Sequence, residues 1–158
     1  MQVMAKTSLA SELSRDWREL GGILSSRRLL ASLSAGADAR LTPTKLRALD
    51  ALAEGGGLRV SDLAARMSVD ETTATRLADR LEAMGVARRR RDAADRRATE
   101  VVLTPSGERL AAEMSKRRLE FFRDVLASLD PDERGELVRL TAKATAALRA
   151  RSEELVAR

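Results

Sequence analysis

Residues 61–103 read SDLAARMSVDETTATRLADRLEAMGVARRRRDAADRRATEVVL, and the order of periodicities within them decides the fold. Ser61 opens a short segment in which Leu63, Ala64 and Met67 recur at helical spacing. Asp70 opens a longer one, with Ala74, Leu77, Ala78, Leu81 and Met84 on its apolar side. Gly85 stands where a left-handed terminator is wanted, and Val86–Arg91 and Thr99–Leu103 then read as two short strands. Asp92–Arg97 would form the tip of their hairpin.

Helix, short turn, helix and two-stranded ribbon is the layout of a winged helix-turn-helix, whose second helix enters the major groove of duplex DNA. On a helical wheel the apolar set of that second helix leaves Thr72, Arg76, Asp79 and Ala83 opposite it, with Thr73, Thr75 and Arg80 at the flanks. Short hydroxyls permit close approach, and an Arg fork can take O6 and N7 of guanine together. An ordinary solvated helix has the same composition, so the helix alone does not decide. The ribbon adds weight: from Val86 to Glu100 there are six Arg (Arg88, Arg89, Arg90, Arg91, Arg96, Arg97) against three acids (Asp92, Asp95, Glu100). A cationic tip fits a narrow minor groove, with Asp95 bracing Arg97. A charged strand protecting a sheet edge is the competing reading.

Outward from this stretch, Thr42-Pro43 forms a helix start signal, Leu46, Leu49, Leu52 and Ala53 supply a buried side, and Gly55-Gly56-Gly57 ends the element. Before it, after a break at 34–40, Leu9, Leu13, Trp17, Leu20, Leu24 and Leu30 predict one amphipathic helix, weakened at Gly21-Gly22. Behind the ribbon, Thr104-Pro105 starts a long helix through Leu110, Met114, Phe121, Phe122, Val125, Leu126 and Leu129. Asp130-Pro131 starts a last one with Leu137, Leu140, Ala144, Leu148 and Leu155. The expected fold is mainly α (α+β), in the order ααααββαα.

At 158 residues the chain suits one domain. Its net charge is +5, and 25 of its 29 cationic residues are Arg, which favours an anionic partner with planar groups. The chain has no Cys, His or Tyr, which excludes disulfides, thiol nucleophiles and imidazole bases and leaves no ordinary ligands for zinc or copper. No metal and no cofactor are expected. The glycine triplet lacks a following Lys-Ser/Thr, so it is a loop and not a phosphate cradle, and an enzyme is not expected. No apolar run approaches membrane-spanning length, and the first nine residues do not form a secretory leader, so a cytoplasmic protein with no membrane partner is expected.

Leu63-Ala64, Val69-Asp70, Thr73, Thr75-Arg76, Asp79-Arg80-Leu81-Glu82 and Gly85-Val86 resemble the helix-turn-helix of the multiple antibiotic resistance regulator (MarR) family of bacterial transcription factors. Asp95-Arg96-Arg97, Val102-Leu103-Thr104 and Gly107 resemble its wing and the start of the next helix, while Ala74 stands where the family often has a larger apolar residue. The resemblance covers roughly a third of the chain. It implies a homodimeric, nucleoid-associated regulator, most often a repressor, with 42–104 as the DNA-binding region and 9–34 and 105–155 as dimerisation helices. The partner implied is double-stranded DNA bearing a palindromic operator. A nonspecific or architectural DNA binder is the alternative.

The DNA-contacting set expected is Ser61, Thr72, Thr73, Thr75, Arg76, Arg80, Arg88, Arg90, Asp95, Arg96 and Arg97. Family members respond to small aromatic molecules, metals or oxidised Cys. Without Cys or His, a small aromatic or lipophilic effector, or none, is left. A family-type pocket would draw on Trp17, Leu46 and Phe121 as lining and Arg47 as an anion anchor, although aromatic residues on an apolar helix face are ordinarily core.

Overall fold

The computed structural model describes residues 2–33, 41–91 and 99–156. Its elements are α1 (Gln2–Leu24), α2 (Arg27–Leu33), α3 (Pro43–Gly55), β1 (Leu58–Arg59), α4 (Val60–Met67), α5 (Glu71–Ala83), β2 (Ala87–Arg91), β3 (Thr99–Leu103), α6 (Pro105–Ala127) and α7 (Pro131–Val156). The chain divides into two compact units, Met1–Arg117 and Arg118–Arg158. The first has a winged helix-turn-helix, with strands in the spatial order β1-β3-β2, both pairings antiparallel.

The start signals act as the sequence suggests. Thr42 is extended and its hydroxyl accepts from the Lys45 amide, while Pro43 occupies a first-turn position that needs no N–H. Gly56 closes α3 in the left-handed region, φ 67°, donating its amide to Leu52 O. At α7 the cap is reciprocal: Asp130 Oδ1 accepts from the amides of Asp132 and Glu133, and Glu133 Oε2 accepts from the Asp130 amide.

Four expectations are corrected. The N-terminal helix is broken in two: Ser25 donates its hydroxyl back to Gly21 O, and Ser26 caps a new helix by accepting the Leu29 amide. Ala53 is exposed although it falls between Leu49 and Leu46 on the helical wheel, because it lies in the last turn of α3, beyond the packed stretch, and Ala48 and Ala51 are buried instead. A two-residue strand, β1, pairs Leu58 with Val101 and Arg59 with Glu100; it is too short to show an alternation in the sequence. Leu129 lies beyond the end of α6.

The core gathers one face each of five elements: Leu46, Leu49 and Leu52 from α3, Leu63 and Met67 from α4, Leu77 and Leu81 from α5, Val101 from β3 and Met114 from α6. Leu49, Leu52, Leu63, Leu81 and Val101 are fully buried, each worth about 1.5–3 kcal/mol against exposure. Two guanidiniums lock α3 to α4 from opposite directions. Arg47 donates to Met67 O at 3.2 Å, and Arg66 donates to Ala51 O at 3.1 Å, so each helix satisfies a carbonyl near the C-terminal end of the other.

In the second unit Arg134 Nε donates to Leu126 O and Leu129 O, closing the turn into α7. Of the described α7 side chains, none is buried.

Candidate DNA interface

α5 is positioned by its cap and its core face. Asp70 is extended, and its carboxylate takes two bonds from one residue, 2.7 Å from the Thr73 amide and 2.7 Å from the Thr73 hydroxyl. These bonds, the hydroxyl first, hold the Asp70 carboxyl below its ordinary pKa. Ala74, Leu77, Ala78 and Leu81 then bury one side of the helix. Ala74 is wholly buried, so its small side chain sets how closely α5 packs. The turn before it is equally tight: Ser68 adopts φ 54° and Val69 donates its amide to Ala64 O.

Burial of that side leaves Thr72, Thr73, Thr75, Arg76 and Arg80 exposed, and Ser61 exposed in the first turn of α4. The three hydroxyls differ. Thr73 gives its proton to Asp70 and Thr75 gives its proton to Glu71 O at 2.8 Å, so both present lone pairs outward, suited to the amino groups of adenine or cytosine. The side chains of Thr72, Arg76 and Arg80 have no partner among the described residues, which leaves their donors open to phosphate or base.

The ribbon is less uniformly available than its sequence suggests. Arg88 and Arg91 are exposed and unpartnered among the described residues. Arg90 pairs with Glu100 across the ladder at 2.9 Å. Arg89, absent from the sequence-derived set, points the other way, onto α5. Its Nη2 lies 2.7 Å from Asp79 Oδ1, its Nη1 donates to Glu82 Oε2, and its amide donates to Glu82 Oε1 at 2.7 Å. Led by the bond to Asp79 and opposed by burial, this raises the guanidinium further above its already high pKa. No local signal marks it, because the partners lie ten and seven residues back, across a turn.

Asp95, Arg96 and Arg97 lie outside the described residues. Of the residues expected at an effector pocket, Leu46 is part of the core, Arg47 is bonded to Met67 O, Trp17 is 48% exposed and Phe121 is half-buried in the second unit. Among the described residues no cluster of three or more acidic groups could hold a metal ion, and no helix is long and apolar enough to cross a membrane.

The ribbon is anchored at its base. The Thr104 and Ser106 hydroxyls both donate to Gly85 O, at 2.7 and 3.0 Å, and a Cβ at Gly107 would collide with Val86 O. Gly85 itself has φ 71°, which a residue with a side chain rarely adopts.

The sequence model of the MarR family matches residues 41–99, which span α3 to the start of β3. The HTH-type transcriptional repressor MdtR of Bacillus subtilis is 33% identical over 103 residues, which cover 65% of this chain and 66% of that protein. The chain thus matches just under two thirds of that relative's length. A MarR family protein from Bacillus stearothermophilus superposes with a TM-score of 0.76 at 26% identity, covering 90% of this chain and 97% of that one. BpsR of Bordetella bronchiseptica, whose DNA binding is regulated by 6-hydroxynicotinic acid, superposes with a TM-score of 0.57 at 29% identity over 79% of this chain and 91% of its own.

Proposed function

With residues 41–99 a MarR-family region, we propose that the chain is a dimeric, sequence-specific transcriptional regulator that binds a palindromic DNA operator and represses a nearby promoter. The observation that carries the reading is the outward row Thr72, Thr73, Thr75, Arg76 and Arg80 on a capped helix whose other side is core, beside a ribbon whose Arg88 and Arg91 guanidiniums have no partner among the described residues. In this reading α5 lies in the major groove, Arg76 reads guanine, Ser61 and Thr72 bond phosphate, and the wing carries Arg96 and Arg97 to the minor groove with Asp95 as the brace of Arg97.

Dimerisation is supported by the apolar rows that the single chain leaves uncovered, Leu9, Leu13, Trp17 and Leu20 on α1 and Leu137, Leu140 and Leu148 on α7. A two-fold dimer reading a palindrome would set its two α5 helices about one duplex turn, ~34 Å, apart. MdtR is a repressor, and the regulation of BpsR by 6-hydroxynicotinic acid supports a small organic effector, which in this reading releases the protein from DNA. Such a regulator works at the nucleoid.

The test is selection of random duplexes by the purified chain, followed by salt titration of the enriched duplex against a scrambled one. A palindrome bound at least ~10³-fold more tightly than the scramble is expected. Arg76→Ala should cost about 1–3 kcal/mol on that site and relax one base position. No enriched sequence, with affinity following salt alone, would replace this reading by an architectural DNA binder.

A further inference from the structure

Within that reading, we propose that Arg89 is a positioning residue for base recognition: it sets the ribbon against the recognition helix and contributes specificity without contacting DNA. Three features of the geometry converge on it. Asp79 and Glu82 are one helical turn apart on α5, so their carboxylates can be spanned by a single guanidinium fork, and Arg89 spans them. Its backbone amide bonds the same Glu82, which ties the strand itself to the helix, not merely a side chain. The connection Met84–Val86 is held at its base by Thr104 and Ser106 on Gly85 O, and the Arg89 bonds add a second tie between β2 and α5 further along the strand.

A single exposed ion pair does little. This is a network of one strand residue and two helix carboxylates, with Glu82 29%, the guanidinium 36% and Asp79 56% exposed, and its strength lies in the fork and the backbone bond and not in burial. Side chains alternate along a strand, so Arg88 faces away from Arg89. Arg88 has no partner among the described residues. Neighbouring arginines of one run therefore divide the work: Arg88 offers charge to phosphate, and Arg89 neutralises two carboxylates that would otherwise stand, unpaired, beside Arg76 and Arg80.

Arg89→Lys is the decisive variant, because a phosphate contact survives the exchange of one cation for another and a forked bridge between two carboxylates does not. With the enriched and scrambled duplexes, Arg89→Lys should lower the preference about tenfold, the worth of one weakened base contact, while affinity for the scramble and its salt dependence stay as in the wild type. Asp79→Asn should lower the preference similarly. If Asp79 acted only as a negative charge near DNA, this variant would instead bind both duplexes more tightly. Arg88→Gln, the comparison, should weaken both and reduce the salt slope by about one.

Amide hydrogen exchange over residues 80–91 of the free protein reads the positioning without DNA: Arg89→Lys should speed exchange there and Arg88→Gln should not. Wild-type preference retained by Arg89→Lys, or exchange unchanged by it, overturns the proposal. If the wild type enriches no duplex, the regulator reading falls, while the exchange measurement still decides whether Arg89 holds the ribbon.

Discussion

The helix-turn-helix and the long terminal helices use the same residues, Leu, Ala and Arg at helical spacing, and dispose of them in opposite ways. In α3, α4 and α5 every Leu facing inward is buried within the chain. In α1, Leu9, Leu13 and Leu20 form an equally regular row that is more than half exposed, and α7 buries none of its described residues. Connection length does not make the difference, since the links α1–α2 and α6–α7 are as short as the one between α4 and α5. What α3, α4 and α5 share is one cluster of buried side chains, and the guanidiniums of Arg47 and Arg66 hold the first two together. Periodicity therefore reports that a face wants cover, and packing decides whether the same chain provides it.

The sharpest way to break this contrast is a pair of substitutions. Leu49→Ala should destabilise the fold by about 2–5 kcal/mol, by the lost transfer energy and the cavity left behind. Leu13→Ala should act only through self-association, so its melting temperature should converge on that of the wild type as the protein is diluted. Thermal unfolding of both across a concentration series checks this; a Leu13→Ala penalty independent of concentration would mean that α1 is covered within its own chain.

A somewhat smaller effect is expected where the start of α6 meets the base of the ribbon. Gly107→Ala forces a methyl into Val86 O and should cost roughly 1–3 kcal/mol in urea denaturation, whereas Gly135→Ala, where the added Cβ meets nothing within 4 Å, should be neutral or slightly stabilising. Equal responses would place the tight packing elsewhere.

The smallest effect is on the acid side. The Asp70 carboxyl is held below its ordinary pKa in the folded chain, so the stability it contributes is present above the unfolded value, about 3.9, and is lost as pH falls through the folded one. Stability measured from pH 6 to pH 2.5 should therefore fall less steeply in Asp70→Asn, which keeps an oxygen cap but cannot titrate. Parallel slopes would remove Asp70 from the acid response.

Much of the fold was legible because its determinants are local. The caps at Thr42, Asp70 and Asp130 bond amides two or three residues away, and the faces of α3 to α5 repeat every three or four. The outward set on α5 was legible for the same reason, as the complement of a buried face. Ala53 was misread because a helical wheel has no end and a packed helix does. Arg88 and Arg90 looked equivalent in the ribbon; only the register, which sets Arg90 opposite Glu100, separates them.

The sequence by itself determined the elements from α3 onward apart from β1, their caps, the apolar faces, the Arg-rich hairpin and the absence of thiol and imidazole chemistry. Each of these depends on residue type or on neighbours within about one helical turn, where the backbone geometry is known in advance. Only the tertiary structure decided that β1 joins the sheet, that Arg47 and Arg66 cap each other's helices across 20 and 15 residues, and that Arg89 turns from the groove to grip Asp79 and Glu82. Those pairings depend on where separate elements come to rest, and a guanidinium takes the carboxylate or carbonyl that packing brings within reach.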